Sequence, residues 1–392
     1  MKKNGILFRA ASGLLAAALT LSLTACGGSS SNSDASAAAG SADSGATHLR
    51  LIYSPSLCAA PMYIAIENGY FEDEGLDIEQ VTVDAAHVSE AIGADQVDVG
   101  MGLIGKMLQP LENGLPIKFT TGLHTGCTKL LVPGDSDIKN IADLKGKKIG
   151  VPGLADAATV VSKRSLSAAG IGVTEQNMEV EFSVYSRNDL PQALENGAVD
   201  AIALGDPTAS IAEEQYGLTA LIDTATDPEY KDEYCCNAFV TSKLAAENPK
   251  AAAAFTRAVQ KASQWVQENP DETAKIIVDK QYVSGDVDFC AQILKTYNYK
   301  PSVQGGYDAL KLNAEELSKI GVLKEGTDAQ KFADNAYIFF DDVPDAPEAS
   351  SDTTAAAPSA SASSVSFTEA AEAEENDCCG GKVEKPETTK KA

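Results

Sequence analysis

The stretch IGADQVDVGMG, residues 92–102, has a counterpart in ENGAVDAIALG, residues 195–205. Each runs from a glycine-containing helix end through Val-Asp into small apolar residues and a glycine at the following loop. A short, nearly unbroken apolar run of this kind suits a strand buried on both faces, as in a parallel sheet. One such unit in each half of the chain predicts two lobes built alike.

The flanking sequence extends the rhythm. LRLIYS reads as a strand, AAPMYIAIENG as a helix with Pro61 at its start and Gly69 past its end, and DIEQVTV as a strand. HVSEAIGA and GKMLQPLENG read as helices around VDVGMG, and IKFTTGLHT as the next strand. KKIGVPG, DAATVVSKRSLSAAG, MEVEFSVYS, DLPQALENGA and VDAIALG repeat the alternation, with Gly170 closing the first helix. Strands alternating with helices predict an α/β architecture with helices on the sheet faces. After CCNAFVTS the chain turns helical, and Phe255, Val259, Ala262 and Val266 share one stripe, read as core packing together with the single tryptophan, Trp265.

The ends differ in composition. Lys2, Lys3 and Arg9 precede a short apolar run, Leu14–Leu23, with the layout of a signal peptide over residues 1–25. The following Leu23-Thr24-Ala25-Cys26 resembles the lipobox of bacterial lipoproteins, which implies a lipid on Cys26 and a flexible tether over 26–47. The expected location is therefore extracytoplasmic, anchored to the cell membrane by lipid. From Val343 to the end the chain is Pro, Ala, Ser, Thr and acid, and reads as a disordered acidic tail, 343–392, carrying Cys378-Cys379. A net charge of −25 argues against nucleic acid as a partner.

Three segments carry a family resemblance. APMYIAIENGYFEDEGLDIE (60–79), DLKGKKIGVPG (143–153) and FVTSKLAAENPKA (239–251) resemble, in order, motifs of the nitrate/sulfonate/bicarbonate-type solute-binding proteins of ABC importers. The likeness runs over residues 48–340. It implies a type II periplasmic-binding fold: two Rossmann-like α/β lobes, two crossover hinge strands and one cleft between the lobes. Mapped onto this chain, lobe one is 48–128 plus 237–342 and lobe two is 129–236, with crossovers near GLHTGCTKL and YCCNAF. The implied function is a receptor that hands a small solute to the transmembrane subunits of an ABC permease, acting as a monomer, without a cofactor and without catalysis.

In open α/β sheets ligands bind beyond the carboxyl ends of the strands. The residues expected to line the cleft are Ser56, Cys58, Leu103, His124, Cys127, Asp156, Ala157, Thr159, Asp206, Cys236 and Asn237. Helix N-termini attract anions, but Asp156 and Asp206 stand where they can cap their own helices and fill that position. No arginine lies in the loops so identified, so a neutral or cationic solute, amine-like or pyrimidine-like, is expected rather than a sulfonate or nitrate.

The cysteines admit three readings. Cys127 can pair with Cys235 or Cys236 as a disulfide, the thiols can be apolar packing, or Cys127, Cys235 and Cys236 can ligate a soft metal. No C-x-x-C spacing favours the last. A bridge between the neighbours Cys235 and Cys236 is disfavoured by geometry. Cys58 and Cys290 complete the set between the tails.

The run CCNAF is also similar in place to the iron-binding cysteine run of the eukaryotic thiamine-pyrimidine synthase. That resemblance implies, as an alternative, an enzyme of pyrimidine chemistry with bound iron. The histidine such an enzyme consumes has no match in MGLIGKML, and His87 lies upstream. A receptor for a metal complex, using Cys58 and Cys127, is a further alternative. There is no nucleophile elbow, P-loop or dinucleotide glycine spacing, and Glu72-Asp73-Glu74 reads as a solvated turn.

Overall fold

A computed structural model describes residues 45–83 and 87–347. The signal segment, Cys26, most of the tether, and Cys378-Cys379 lie outside the described residues. Two five-stranded sheets organise the chain. The first holds β1 (Thr47–Tyr53), β2 (Leu76–Thr82), β3 (Val99–Leu103), β4 (Ile117–Thr125) and, from much later, β12 (Tyr234–Thr241), in the order β2-β1-β3-β12-β4. The second holds β5 (Thr128–Pro133), β6 (Lys148–Val151), β9 (Glu181–Val184), β10 (Ala201–Gly205) and β11 (Leu218–Asp223), in the order β11-β5-β10-β6-β9. A separate ribbon pairs β7 (Val173–Thr174) with β8 (Asn177–Met178).

Helices α1 (Ala60–Glu67), α2 (Tyr70–Asp73), α3 (Val88–Gly93) and α4 (Ile104–Glu112) join strands of the first sheet. Helices α5 (Ala157–Ala168), α6 (Leu190–Glu195) and α7 (Thr208–Tyr216) do so in the second. The chain then closes with α8 (Ser242–Glu247), α9 (Pro249–Glu268), α10 (Pro270–Asp279), α11 (Val287–Thr296), α12 (Val303–Lys319) and α13 (Ala329–Ala336). Gly69 ends the α1 turn at φ +71°, a backbone state that costs glycine little. The stripe on α9 is core: Phe255, Val259, Ala262 and Val266 are fully buried, and Phe255 stacks on Phe71 at 5.8 Å.

The sheets are mixed rather than wholly parallel. β1 runs parallel to β2 and β3, and β6 runs parallel to β9 and β10. β12 is antiparallel to β3 and β4, and β5 is antiparallel to β10 and β11. The antiparallel strands include the two that enter from the other sheet, because a chain crossing between lobes arrives from the opposite end. Thr128 already pairs with Gly205 in the second sheet, and Tyr234–Cys236 already pair in the first. The chain thus changes sheet between Thr125 and Thr128 and again between Asp223 and Tyr234.

Residues 343–347, assigned to the acidic tail from sequence, lie among the described residues. Asp345 accepts hydrogen bonds from Ser302 Oγ and from Gln304 N at 2.7 Å, at the start of α12, and Gln260 Nε2 donates to the Pro344 carbonyl.

One apolar core spans the two sheets. It includes Phe119 and Phe239 of the first, Leu130, Ile149 and Ala203 of the second, and Leu310 of α12.

Candidate functional site

Local irregularity in β12 builds the site. Tyr234 pairs with Thr125 and Cys236 with the next residue back, His124, so Cys235 is the extra residue of a β-bulge. In a regular strand, neighbours point to opposite faces. The bulge breaks that alternation, and the Cys235 and Cys236 sulfurs lie 3.8 Å apart. The facing His124 puts Nδ1 3.5 Å from Cys235 Sγ.

The first crossover delivers Cys127. Gly126 holds φ +69°, and a Cβ there would sit 2.5 Å from Ala225 Cα of the second crossover. Only glycine lets the two crossing backbones approach so closely. Thr224 fastens them: its Oγ1 accepts from Cys127 N at 3.1 Å and Thr128 N at 2.9 Å. Cys127 Sγ then lies 3.2 Å from Cys235 Sγ. Cys58, from the 3-10 turn Leu57–Ala59 after β1, completes a buried trio in which its sulfur and those of Cys127 and Cys236 lie within 4.8 Å of one another.

Aromatic rings wall the cluster. His124 stacks on Tyr297 at 5.2 Å and meets Tyr299 at 5.0 Å, while Tyr299 Oη donates to the Leu57 carbonyl at 2.8 Å. Desolvation works against a thiolate at Cys235, but hydrogen bonds from Cys127 and Cys236 outweigh it and draw that thiol down to about 6. Burial pushes Cys236 well up, and the hydrogen bond shared with Cys235 raises Cys127.

Of the expected lining residues, Cys58, His124, Cys127 and Cys236 converge. Leu103 and Ala157 line an adjoining cavity of about 40 Å³ with Val160, Tyr234 and Cys235. That volume holds water but not an organic solute. Ser56 is spent on its own turn, its Oγ accepting from Cys58 N at 3.2 Å. Two residues turn away. Thr159 Oγ1 donates to the Gly153 carbonyl at 2.6 Å, inside its own loop. Asn237, one residue past Cys236, faces α12 and donates Nδ2 to the Gly306 carbonyl at 3.0 Å. Against β3 the register is regular, Cys236 with Leu103 and Asn237 with Gly102, and alternation there sends Asn237 to the opposite face.

Both aspartates cap helices. Asp156 Oδ1 accepts from Ala158 N at 3.0 Å at the start of α5. Asp206 Oδ1 accepts from Ser210 N at 2.9 Å and Ser210 Oγ at 2.8 Å at the start of α7. Desolvation pushes Asp206 up to about 6 against the attraction of Lys129 and the Ser210 hydrogen bonds.

Sequence reading missed several residues here. Arg187 reaches in from the turn after β9 and pairs with Asp156 Oδ2 at 2.7 Å. The carboxyl end of MEVEFSVYS was the signal, since such an end borders the cleft. Arg164 of α5 makes a two-pronged pair with Glu233, at 2.7 and 2.9 Å, and Asn313 of α12 donates to the same carboxylate at 2.6 Å. No local pattern links these three.

A family profile described as NMT1/THI5 like matches residues 58–273, more than half of the chain. The chain belongs to the NMT1/THI5-like family. A relative of this family member, the formylaminopyrimidine-binding protein of Halalkalibacterium halodurans, is 22% identical over 59% of the chain and 69% of its own length. The nitrate/nitrite binding protein NrtA of Nostoc is 25% identical over 60% of the chain and 58% of its own length. The chain thus spans about two thirds or less of these relatives.

Among solved structures, the periplasmic aliphatic sulphonate binding protein SsuA of Escherichia coli matches with a TM-score of 0.61 at 16% identity, over 84% of this chain and 98% of that one. The periplasmic nitrate-binding protein NrtA of Synechocystis matches with a TM-score of 0.61 at 17% identity, over 74% and 86%. This NMT1/THI5-like chain has the periplasmic-binding fold of these neighbours. Among the described residues no helix is long and apolar enough to cross a membrane.

Proposed function

We propose that this NMT1/THI5-like chain is an extracytoplasmic receptor that captures a small organic solute between its lobes and delivers it to an ABC permease. Capture is a population shift: the solute favours closure only by binding the closed state better. The lobes of this reading meet at the two crossovers, near Gly126-Cys127 and residues 224–233. Export, lipid anchoring at Cys26 and action as a monomer belong to the same reading, supported by the charge, apolar run and small residues before that cysteine.

The solute class follows from charge. The N-termini of α5 and α7 are occupied by the carboxylates of Asp156 and Asp206, and Arg187, the cation beside them, is already paired. An anion entering there meets two carboxylates and finds the helix ends taken. A neutral or cationic solute, of the amine or heterocyclic type, does not. Relatives are named for binding aliphatic sulfonates, a formylaminopyrimidine and nitrate, so the choice among these rests on the charge of the site.

A thermal-shift screen over amines, pyrimidines, sulfonates and nitrate checks it. At a hundredfold excess over Kd the best solute should raise the unfolding midpoint by about 5 °C. The largest rise is expected from a non-anionic compound. A sulfonate giving the best response would overturn the charge argument while leaving the receptor intact. Turnover of any of these compounds would overturn the receptor itself.

A further inference from the structure

Four thiols and an imidazole meet where the two crossovers pass each other; Cys58, Cys127 and Cys236 belong to the apolar core there, but packing alone does not require thiols at all four positions. Any small apolar residue would fill the same space. Cys58 comes from the loop after β1, Cys127 from the first crossover, His124 from β4, and Cys235 and Cys236 from β12. They are distant in sequence, so the convergence is a property of the fold.

We propose that Cys58, His124, Cys127, Cys235 and Cys236 form a binding site for one closed-shell thiophilic cation, Cu(I) or Zn(II). The separations within each of two trios suit an ion, whereas Cys127 Sγ at 3.2 Å from Cys235 Sγ is closer than two sulfurs on one tetrahedral metal, so binding must spread that pair or use one of the two. With sulfur about 2.3 Å and nitrogen about 2.0 Å from a metal, tetrahedral geometry spaces two sulfurs by about 3.8 Å and sulfur from nitrogen by about 3.5 Å. Cys235 and Cys236 stand 3.8 Å apart, and Cys235 Sγ stands 3.5 Å from His124 Nδ1. The trio Cys58, Cys127 and Cys236 is wholly buried and all-sulfur, an arrangement favoured by Cu(I). The His124, Cys235 and Cys236 trio adds nitrogen, which suits Zn(II).

A second observation points the same way. His124 Nε2 and Tyr297 Oη are buried at this cluster without a hydrogen-bond partner. Buried polar atoms are satisfied almost everywhere in folded proteins, so two orphans beside five ligand atoms mark a place where something polar or ionic is bound. The proposal stands apart from the identity of the transported solute. It adds a consequence for motion: an ion held by both crossovers would pin the joint about which the lobes swing.

Binding replaces thiol protons with metal and involves no change of oxidation state. The test uses the full chain, purified anaerobically with thiols reduced, both natural and with the Cys378→Ser, Cys379→Ser background that removes the tail pair. Cu(I), Zn(II) and Fe(II) are offered separately, and bound metal is measured after competition with a chromophoric chelator.

The expected result is one Cu(I) or Zn(II) per chain in the tail-free background. Cys127→Ser and Cys236→Ser should each weaken retention by about ten- to a hundredfold. Sulfur-only absorption-edge spectra would assign copper to the trio with Cys58, and mixed sulfur and nitrogen would assign zinc to the set with His124. Because a serine variant can misfold, differential alkylation of the natural chain gives an independent readout. The metal should shield the cluster cysteines and leave Cys378 and Cys379 reactive.

Three results would overturn the proposal. They are a Cys127–Cys235 disulfide in protein recovered from its own compartment with no metal retained after reduction, retention that follows the tail pair alone, and a preference for Fe(II) over both other ions.

Discussion

Replacing Glu233 with alanine should lower the thermal midpoint by about 6–10 °C, a loss of about 3–5 kcal/mol. Glu233 sits at the end of the second crossover, 12% exposed, and its partner Arg164 on α5 is 9% exposed. Asn313 of α12 binds the same carboxylate, so one residue ties helices packed on different sheets. Removing it leaves the Arg164 guanidinium buried without its counter-ion, and Arg164 Nε already lacks a partner. The penalty is that stranded charge rather than the worth of the pair, since a buried pair need not be more stable than apolar residues of similar size. The double variant Arg164→Met, Glu233→Met should therefore recover most of the lost stability. Calorimetry of both variants decides the matter, and a single-variant loss near that of an exposed pair, under about 1 kcal/mol, would show that the triad is not sealed from water.

Gly306→Ala should cost about 2–3 kcal/mol and weaken solute capture at the same time. A Cβ on Gly306 would stand 2.3 Å from Gly122 N and 2.9 Å from Gly122 Cα, with Tyr337 Oη at 2.8 Å. Two of the three clashing atoms are backbone, so α12 must move off β4. That motion strains the Gly122 N to Ser302 carbonyl hydrogen bond, 2.9 Å long, and the Asn237 bond to the Gly306 carbonyl. Both lie beside β12, where the second crossover enters the first sheet. Chemical denaturation reads the first effect and the thermal-shift response to the best solute reads the second. A variant as stable as the natural chain would mean that the helix and strand are not held at this spacing in solution.

Much of the architecture was legible. β4 spans Ile117–Thr125, the whole of IKFTTGLHT, and α9 buries the stripe that its periodicity announced. These features depend on hydrophobic period and on turn residues, both local. Missed elements have weaker local signals. β5 follows β4 with only Gly126 and Cys127 between, and β11 sits in a segment without clean alternation. The gathering of Cys58, Cys127 and Cys236 was anticipated from the topology, because strand ends and crossovers share a floor in this fold.

The side on which each residue works was not legible. Cys235 joins Cys236 only because a bulge inserts it opposite Thr125 and His124, and Asn237 is lost to the site because Cys236 and Asn237 alternate regularly against β3. Arg187 enters the cleft from a turn that composition alone does not mark, and Arg164, Glu233 and Asn313 meet from three separate segments.

From the sequence by itself came the α/β alternation, the paired lobes, the acidic character and the family, because each is written in residues near one another along the chain. Tertiary structure decided which thiols meet, which carboxylates stopper helices and which charge is sealed at the joint. Those outcomes depend on register and on approach between distant segments, and a one-residue bulge, invisible to periodicity, is enough to turn a side chain from one face to the other.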